Sequence, residues 1–205
     1  MNSYTTIHKA ANFEYEDRKS VFIGEAAPVT CESEALEFIA SVKKKYSDAN
    51  HHVYAYVLRE NQVMRFSDDR EPQGTAGMPT LDAIRKNGIV DAVVVVVRYF
   101  GGTLLGTGGL VRAYSSAAVG ALREAEIITY DTYVSYEITL SYSDYQKTVT
   151  SVDNSGFRRK DVQYSDSVTI IGSIKKGEAE AFEKLLVELT GGRIKIKNCG
   201  EKYEF

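Results

Sequence analysis

Three carboxylates fall within four residues in the segment Asp68-Asp69-Arg70-Glu71-Pro72. Carboxylates this close could hold a hard cation through oxygen ligands or serve as acid and base. They could equally stabilise a turn by accepting from nearby backbone N–H groups. The turn is the favoured reading, because the loop lacks the longer ligand series of a calcium-binding loop. Glu71 could instead pair with a basic neighbour such as Arg98. Gly74-Thr75-Ala76-Gly77 follows as a second tight backbone segment. Asp68, Asp69, Glu71, Gly74 and Thr75 are therefore the acidic-loop candidates. Further on, the run Gly101-Gly102-Thr103-Leu104-Leu105-Gly106-Thr107-Gly108-Gly109 is flanked by Arg98 and Arg112. Eight of the 16 glycines lie between Gly74 and Gly109. A glycine-rich turn that opens a helix offers free N–H groups and the positive end of the helix dipole to an anion. Arginine suits phosphate because its planar fork donates two hydrogen bonds at once.

Arg98, Tyr99, Gly101, Gly102, Gly106, Gly108, Gly109 and Arg112 form the candidate binding surface, and Tyr99 and Phe100 could stack on bases. The same glycines would also let the chain turn tightly between a strand and a packed helix, and the two roles stay open side by side. Nucleotide enzymes of the familiar kinds are disfavoured. Gly101 and Gly106 have P-loop spacing, but Thr107 stands where the phosphate-gripping lysine belongs. The dinucleotide pattern begun by Gly106 and Gly108 meets Val111 instead of a third small residue. His51-His52 reads as a strand end, and Ser115, Ser116 and His51 carry no local signature of a nucleophile and its base. No His/Cys cluster has metal-ligand spacing. No catalytic residue, metal or cofactor is assigned.

Elements must position these residues. Residues 12–29 carry strand-forming Phe13, Tyr15, Val21, Phe22 and Ile23, and residues 33–46 change to helical period through Leu36, Ile39, Val42 and Tyr46. Residues 52–59 and 63–67 read as a hairpin. A helix is expected to open at Pro79 and stop at Gly88. Five consecutive valines, Val93–Val97, indicate a strand buried on both faces and so a central one. A helix follows the glycine run from Leu110, with Tyr114, Ala117, Ala121 and Leu122 on its apolar face. Its alanines would let it lie close to the sheet. Residues 126–131 read as a junction. Beyond them come a strand (132–140), a helix (144–153), two strands (157–164 and 167–174), a helix (178–189) stopped by Gly191-Gly192, and a last strand (193–198). The order β-α-β-β-α-β is the ferredoxin-like split motif.

The chain has 205 residues, 43% of them hydrophobic and 26% charged, which fits a folded protein of one large or two small domains. No run approaches the roughly 20 apolar residues needed to span a bilayer. The net charge of −3 weakens nucleic-acid binding without removing it, since a local basic face is still allowed. The N-terminus lacks the pattern of a secretory signal, and two distant cysteines, Cys31 and Cys199, suit a reduced compartment. A cytoplasmic location is expected.

Two long motifs then stand out: D-D-R-E-P-Q-G-T-A-G-M-P from Asp68, and V-V-V-R-Y-F-G-G-T-L-L-G-T-G-G-L-V-R-A-Y ending at Tyr114. Supporting them are R-K-S-V-F-I-G from Arg18 and A-N-H-H-V-Y-A-Y from Ala49. In order and spacing they resemble the signature of the IMPACT family in its bacterial members. The resemblance implies an α+β protein of two domains. The first, residues 1–128, would be an α/β sandwich resembling domain IV of elongation factor G. The second, residues 132–205, would be ferredoxin-like. Together with the glycine and arginine surface, the resemblance leads to the expectation of a non-catalytic cytoplasmic protein that binds RNA, the ribosome or a translation factor; eukaryotic relatives act in translational control, though their particular pathway does not transfer. An enzyme working on a small phosphate-bearing or peptide-like substrate through the acidic and glycine loops is the alternative, and a pure protein-interaction module is another. Two positions depart from the family pattern. Arg70 stands where glycine is usual, and Leu104 where lysine is usual. Neither a membrane nor a specific DNA sequence is an expected partner, and the oligomeric state is left open.

Overall fold

The computed structural model describes residues 3–205. The chain divides into two compact units, Tyr4–Thr129 and one built on Tyr130–Phe205. The first unit contains β1 (Tyr4–Ile7), β2 (Ala11–Asp17), β3 (Ser20–Pro28), α1 (Glu32–Lys45), β4 (His51–Val57), β5 (Met64–Ser67), α2 (Gly77–Lys86), β6 (Ala92–Tyr99) and α3 (Gly106–Glu124). Five strands form one antiparallel sheet in the order β2-β3-β6-β4-β5. The valine strand β6 is at its centre, as its continuous apolar run requires. Val94 and Val96 belong to the core shared with α2 and α3, whereas Val93, Val95 and Val97 belong to the core beneath α1. Both faces are covered, so an antiparallel strand carries the pattern usual for a buried parallel one.

Close packing on the α3 side follows from small residues. Ala113, Ala117, Ala118 and Ala121 are fully buried. A Cβ on Gly24 of β3 would stand 2.4 Å from the Ala117 carbonyl oxygen. On the other face α1 buries Ala35, Ile39 and Val42, with Glu32 and Glu34 in its first turn and Lys43–Lys45 in its last. Charges so placed complement the helix dipole. Leu36 sits just off that buried stripe and is half exposed.

The second unit contains β7 (Ile127–Leu140), α4 (Tyr142–Asn154), β8 (Arg158–Tyr164), β9 (Val168–Lys175), α5 (Ala179–Thr190) and β10 (Lys195–Glu204), with β7 beginning just before its boundary. The strand order is β10-β7-β9-β8, all antiparallel. β9 is inserted between β7 and β8, which is the split arrangement expected from the element order. Val134, Tyr136, Ile138 and Leu140 on one face of β7 pack with Phe182 and Leu186 of α5 and Val152 of α4. Ser141 caps α4 by accepting from the Asp144 backbone N–H at 3.2 Å. α5 ends in left-handed Gly191, φ +58°. The fold is thus mixed α/β in two domains.

Several element ends differ from the sequence reading. α2 starts at Gly77 and α3 at Gly106, so both helices take in glycines that read as loop. β7 starts at Ile127, where a junction was expected, because β1 pairs with it and the Thr5 and Thr129 hydroxyls meet at 3.0 Å. β10 runs on to Glu204 past an irregularity between Asn198 and Glu201. Among the described residues no helix is long and apolar enough to cross a membrane.

Candidate functional site

Strand register decides where Arg98 goes. It lies opposite Phe22 of β3 and His51 of β4, and paired residues share a face. That face is the one α3 covers, so the side chain turns inward and is 7% exposed. Its Nη1 donates to Glu71 Oε1 at 2.6 Å, and the Tyr114 hydroxyl donates to the same oxygen at 2.7 Å. His51 Nε2 lies 3.8 Å from that oxygen. The guanidinium carbon is 5.4 Å from the ring centres of both Phe22 and Phe100. Arg98 Nε is buried with no hydrogen-bond partner. Burial, reinforced by the negative charge of Glu71, pushes the Tyr114 phenol far above its ordinary value. Tyr114 therefore remains a donor at any physiological pH. Arg98, expected on the binding surface, is instead the buried counter-charge of Glu71. A guanidinium taken out of water needs such a partner.

The acidic loop is consumed by the fold. Asp68 Oδ1 accepts from the backbone N–H groups of Ala76 (3.1 Å) and Gly77 (2.7 Å), and its Oδ2 accepts from Gly74 (3.0 Å). This carboxylate satisfies the open N-terminus of α2, which is why that helix begins before Pro79. Thr75 is buried and donates its hydroxyl to the Pro72 carbonyl at 2.7 Å. Asp69 Oδ2 accepts from the His52 backbone N–H at 2.6 Å, and the Asp69 carbonyl lies 2.9 Å from His51 Nδ1. The three carboxylates thus serve three different places: α2, β4 and the buried Arg98. Among the described residues no three His, Cys, Asp or Glu side chains gather as a metal-ligand set.

The glycine loop faces outward above this layer. Gly101 is half-buried against the β2–β3 turn, where a Cβ would stand 2.1 Å from the Lys19 carbonyl carbon, and its N–H lies 3.1 Å from Ser20 Oγ. Gly102 and Gly106 have φ of +81° and +72°. Gly109 is buried against Leu105. Gly108 differs from the rest: it is exposed, has no positive φ, and a Cβ there would meet nothing within 4 Å. Leu104 projects at the tip, 80% exposed, and Phe100 is 45% exposed. Tyr99 turns to the opposite face and donates to Asp48 at 2.8 Å.

Four exposed cations belong to this region, and only Arg112, on α3, was among the sequence candidates. Arg18 reaches to 3.5 Å from the Leu104 carbonyl. Lys19 is the residue against which Gly101 packs. Arg70 lies 3.4 Å from the Asn50 carbonyl, and Asn50 Oδ1 accepts from the Phe100 N–H at 2.8 Å. Arg18 and Lys19 occupy the two-residue turn of the β2–β3 hairpin with positive φ at both, as tight hairpin turns demand. A basic pair at a hairpin tip was the available signal, but its proximity to a loop more than 80 residues later was not. Arg70 has φ +71°. That conformation favours glycine, the residue usual there in the family it resembles.

Comparison with known proteins adds two domains. Residues 18–122 match the Impact N-terminal domain, and residues 138–193 match a domain of unknown function, DUF1949. The IMPACT family member YvyE of Bacillus subtilis is 35% identical over 198 residues, covering 96% of this chain and 91% of that protein. The bovine (Bos taurus) protein IMPACT is 35% identical over 94 residues, 44% of this chain and 30% of that protein. A crystal structure of a hypothetical protein superposes with a TM-score of 0.60 at 30% identity, covering 96% of this chain and 97% of that one.

Proposed function

This chain belongs to the IMPACT family, and on that premise we propose that it is a cytoplasmic, non-catalytic protein that binds RNA of the translation machinery through its glycine loop. One observation carries the reading. The first turn of α3 exposes Gly106, Thr107 and Gly108, and Arg18, Lys19, Arg70 and Arg112 stand exposed in the same region. Open helix N–H groups and side-chain cations are the two donors that phosphate contacts use. Exposed Phe100 supplies a surface for a base.

The acidic loop supports binding over catalysis. Asp68, Asp69 and Glu71 hold together α2, β4 and the Arg98 cluster, so none is left convergent on a substrate. The resemblance to elongation-factor domains, and the translational role of eukaryotic relatives that it implies, favour a ribosomal setting. Co-sedimentation with ribosomes and anisotropy with ribosomal RNA fragments, measured across a salt series, test the reading. Each of Arg18→Gln and Arg112→Gln should weaken binding and lower the log–log salt slope by about 0.7–0.9. Absence of any salt-sensitive binding to RNA or ribosomes would overturn it.

A further inference from the structure

A cluster of cations lies in the ferredoxin-like unit. Glu204 near the end of β10 has a side chain only 13% exposed, yet three cations converge on it. Lys160 and Lys202 reach Oε1 at 2.7 and 2.9 Å, and Arg158 stands 3.9 Å from Oε2. The Ser173 hydroxyl donates to Oε2 at 2.8 Å. The cations remain 46%, 48% and 40% exposed for Arg158, Lys160 and Lys202. An ammonium has three donors and a guanidinium five, so most of their donors are not used by Glu204. Arg158 spends one more on the Phe205 main-chain oxygen at 3.0 Å, and its guanidinium rests 4.3 Å over the Tyr133 ring. The same residues line an open recess of about 490 Å³, whose remaining walls are Tyr130, Tyr203 and Phe205. Tyr130 and Phe205 meet edge to face at 5.3 Å.

We propose that this recess binds a nucleoside monophosphate, with the phosphate on Arg158, Lys160 and Lys202 and the base against the aromatic wall. Three cations around one carboxylate leave positive charge for an incoming anion, and Arg158 supplies the planar donor suited to phosphate. The adjacent aromatic rings are what a base adds over a bare anion or an acidic peptide. A free nucleotide and the 5′ end of an RNA chain both present this monophosphate, and the chemistry of the site is the same for each.

NMR titration of the full chain distinguishes these sources, using adenosine monophosphate, unphosphorylated adenosine, inorganic phosphate, a 5′-phosphorylated RNA tetramer and poly-glutamate. Adenosine monophosphate should shift the aromatic signals of Tyr130, Tyr203 and Phe205, and adenosine should not. A tighter response to the tetramer assigns the site to RNA ends, and an equal or weaker one to the free nucleotide; either supports the proposal. Lys160→Gln and Lys202→Gln, each leaving Glu204 with its other donors, should weaken nucleotide binding about fivefold. Phe205→Ala, at an exposed position, should weaken adenosine monophosphate but not inorganic phosphate. Arg18→Gln, in the β2–β3 turn beside the glycine loop, should leave the titration unchanged, so this site and the proposed RNA surface stand or fall separately. The proposal is overturned if adenosine monophosphate and the tetramer both leave the signals unmoved at millimolar concentration. Matching shifts from adenosine or poly-glutamate, or lysine variants that bind as well as the parent, would overturn it too.

Discussion

A buried guanidinium holds its place only while its counter-charge does. Arg98 and Glu71 are 7% and 4% exposed, and Tyr114 and Arg98 donate to one carboxylate oxygen. Arg98→Met should therefore cost about 3–5 kcal/mol in a denaturant melt, because Glu71 stays buried without its cation. The paired change Arg98→Met with Glu71→Gln should recover much of that loss. A surface role for Arg98 would instead leave the melt of the single variant within about 0.5 kcal/mol of the parent. Arg70 poses the opposite case. It is exposed, with φ +71°. Arg70→Gly should stabilise the protein by about 1 kcal/mol while weakening RNA binding through the lost cation. A gain in both stability and affinity would show that Arg70 contributes nothing to the surface.

At the scale of elements, the two loops differ in what they give the helices that follow. Asp68 completes the N-terminus of α2 by accepting from the Ala76 and Gly77 N–H groups, and ties down the preceding loop by accepting from Gly74. Asp68→Ala should cost about 1–2 kcal/mol, read as a lower melting midpoint. The start of α3 has no side-chain cap, and its glycines separate into two kinds. Gly106→Ala forces a side chain into φ +72° and should destabilise by about 1–2 kcal/mol. Gly108 has neither strain nor a neighbour, so Gly108→Ala should stabilise by about 0.5–1 kcal/mol. If its bare backbone serves a ligand, the same change should weaken RNA binding, and unchanged affinity would assign the loop to turning alone. The valine strand, the alanine face of α3 and the split βαββαβ order were readable because each is a local periodic pattern. The early starts of α2, α3 and β7 were not, because each depends on what the segment meets: Asp68 for α2, and β1 for β7.

Over the whole molecule, a net charge of −3 coexists with local basic surfaces in both units. Glu204 links one of them to pH. Burial acts to raise its carboxyl, but the hydrogen bonds from Lys160, Lys202 and Ser173 outweigh this and hold it at about 2, below its ordinary 4.5. A depressed value stabilises the fold fully above the unfolded value and loses that contribution as pH falls from 4.5 towards 2. Chemical melts from pH 6 to pH 2 should show Glu204→Gln flattening this part of the acid profile. Parallel profiles for parent and variant would mean that Glu204 does not link its basic surface to stability.

From the sequence alone came the class of fold, the central strand, the two domains and the family, since periodicity and motif spacing are properties of contiguous residues. The binding surface needed three dimensions. Strand register within β6 sends Arg98 beneath α3, and the tight β2–β3 turn carries Arg18 out beside Leu104. Likewise Lys160 and Lys202 are far apart along the chain and become one site only when the sheet order β10-β7-β9-β8 brings them to Glu204. Charge recognition depends on distance in space, which neither composition nor spacing along a chain encodes.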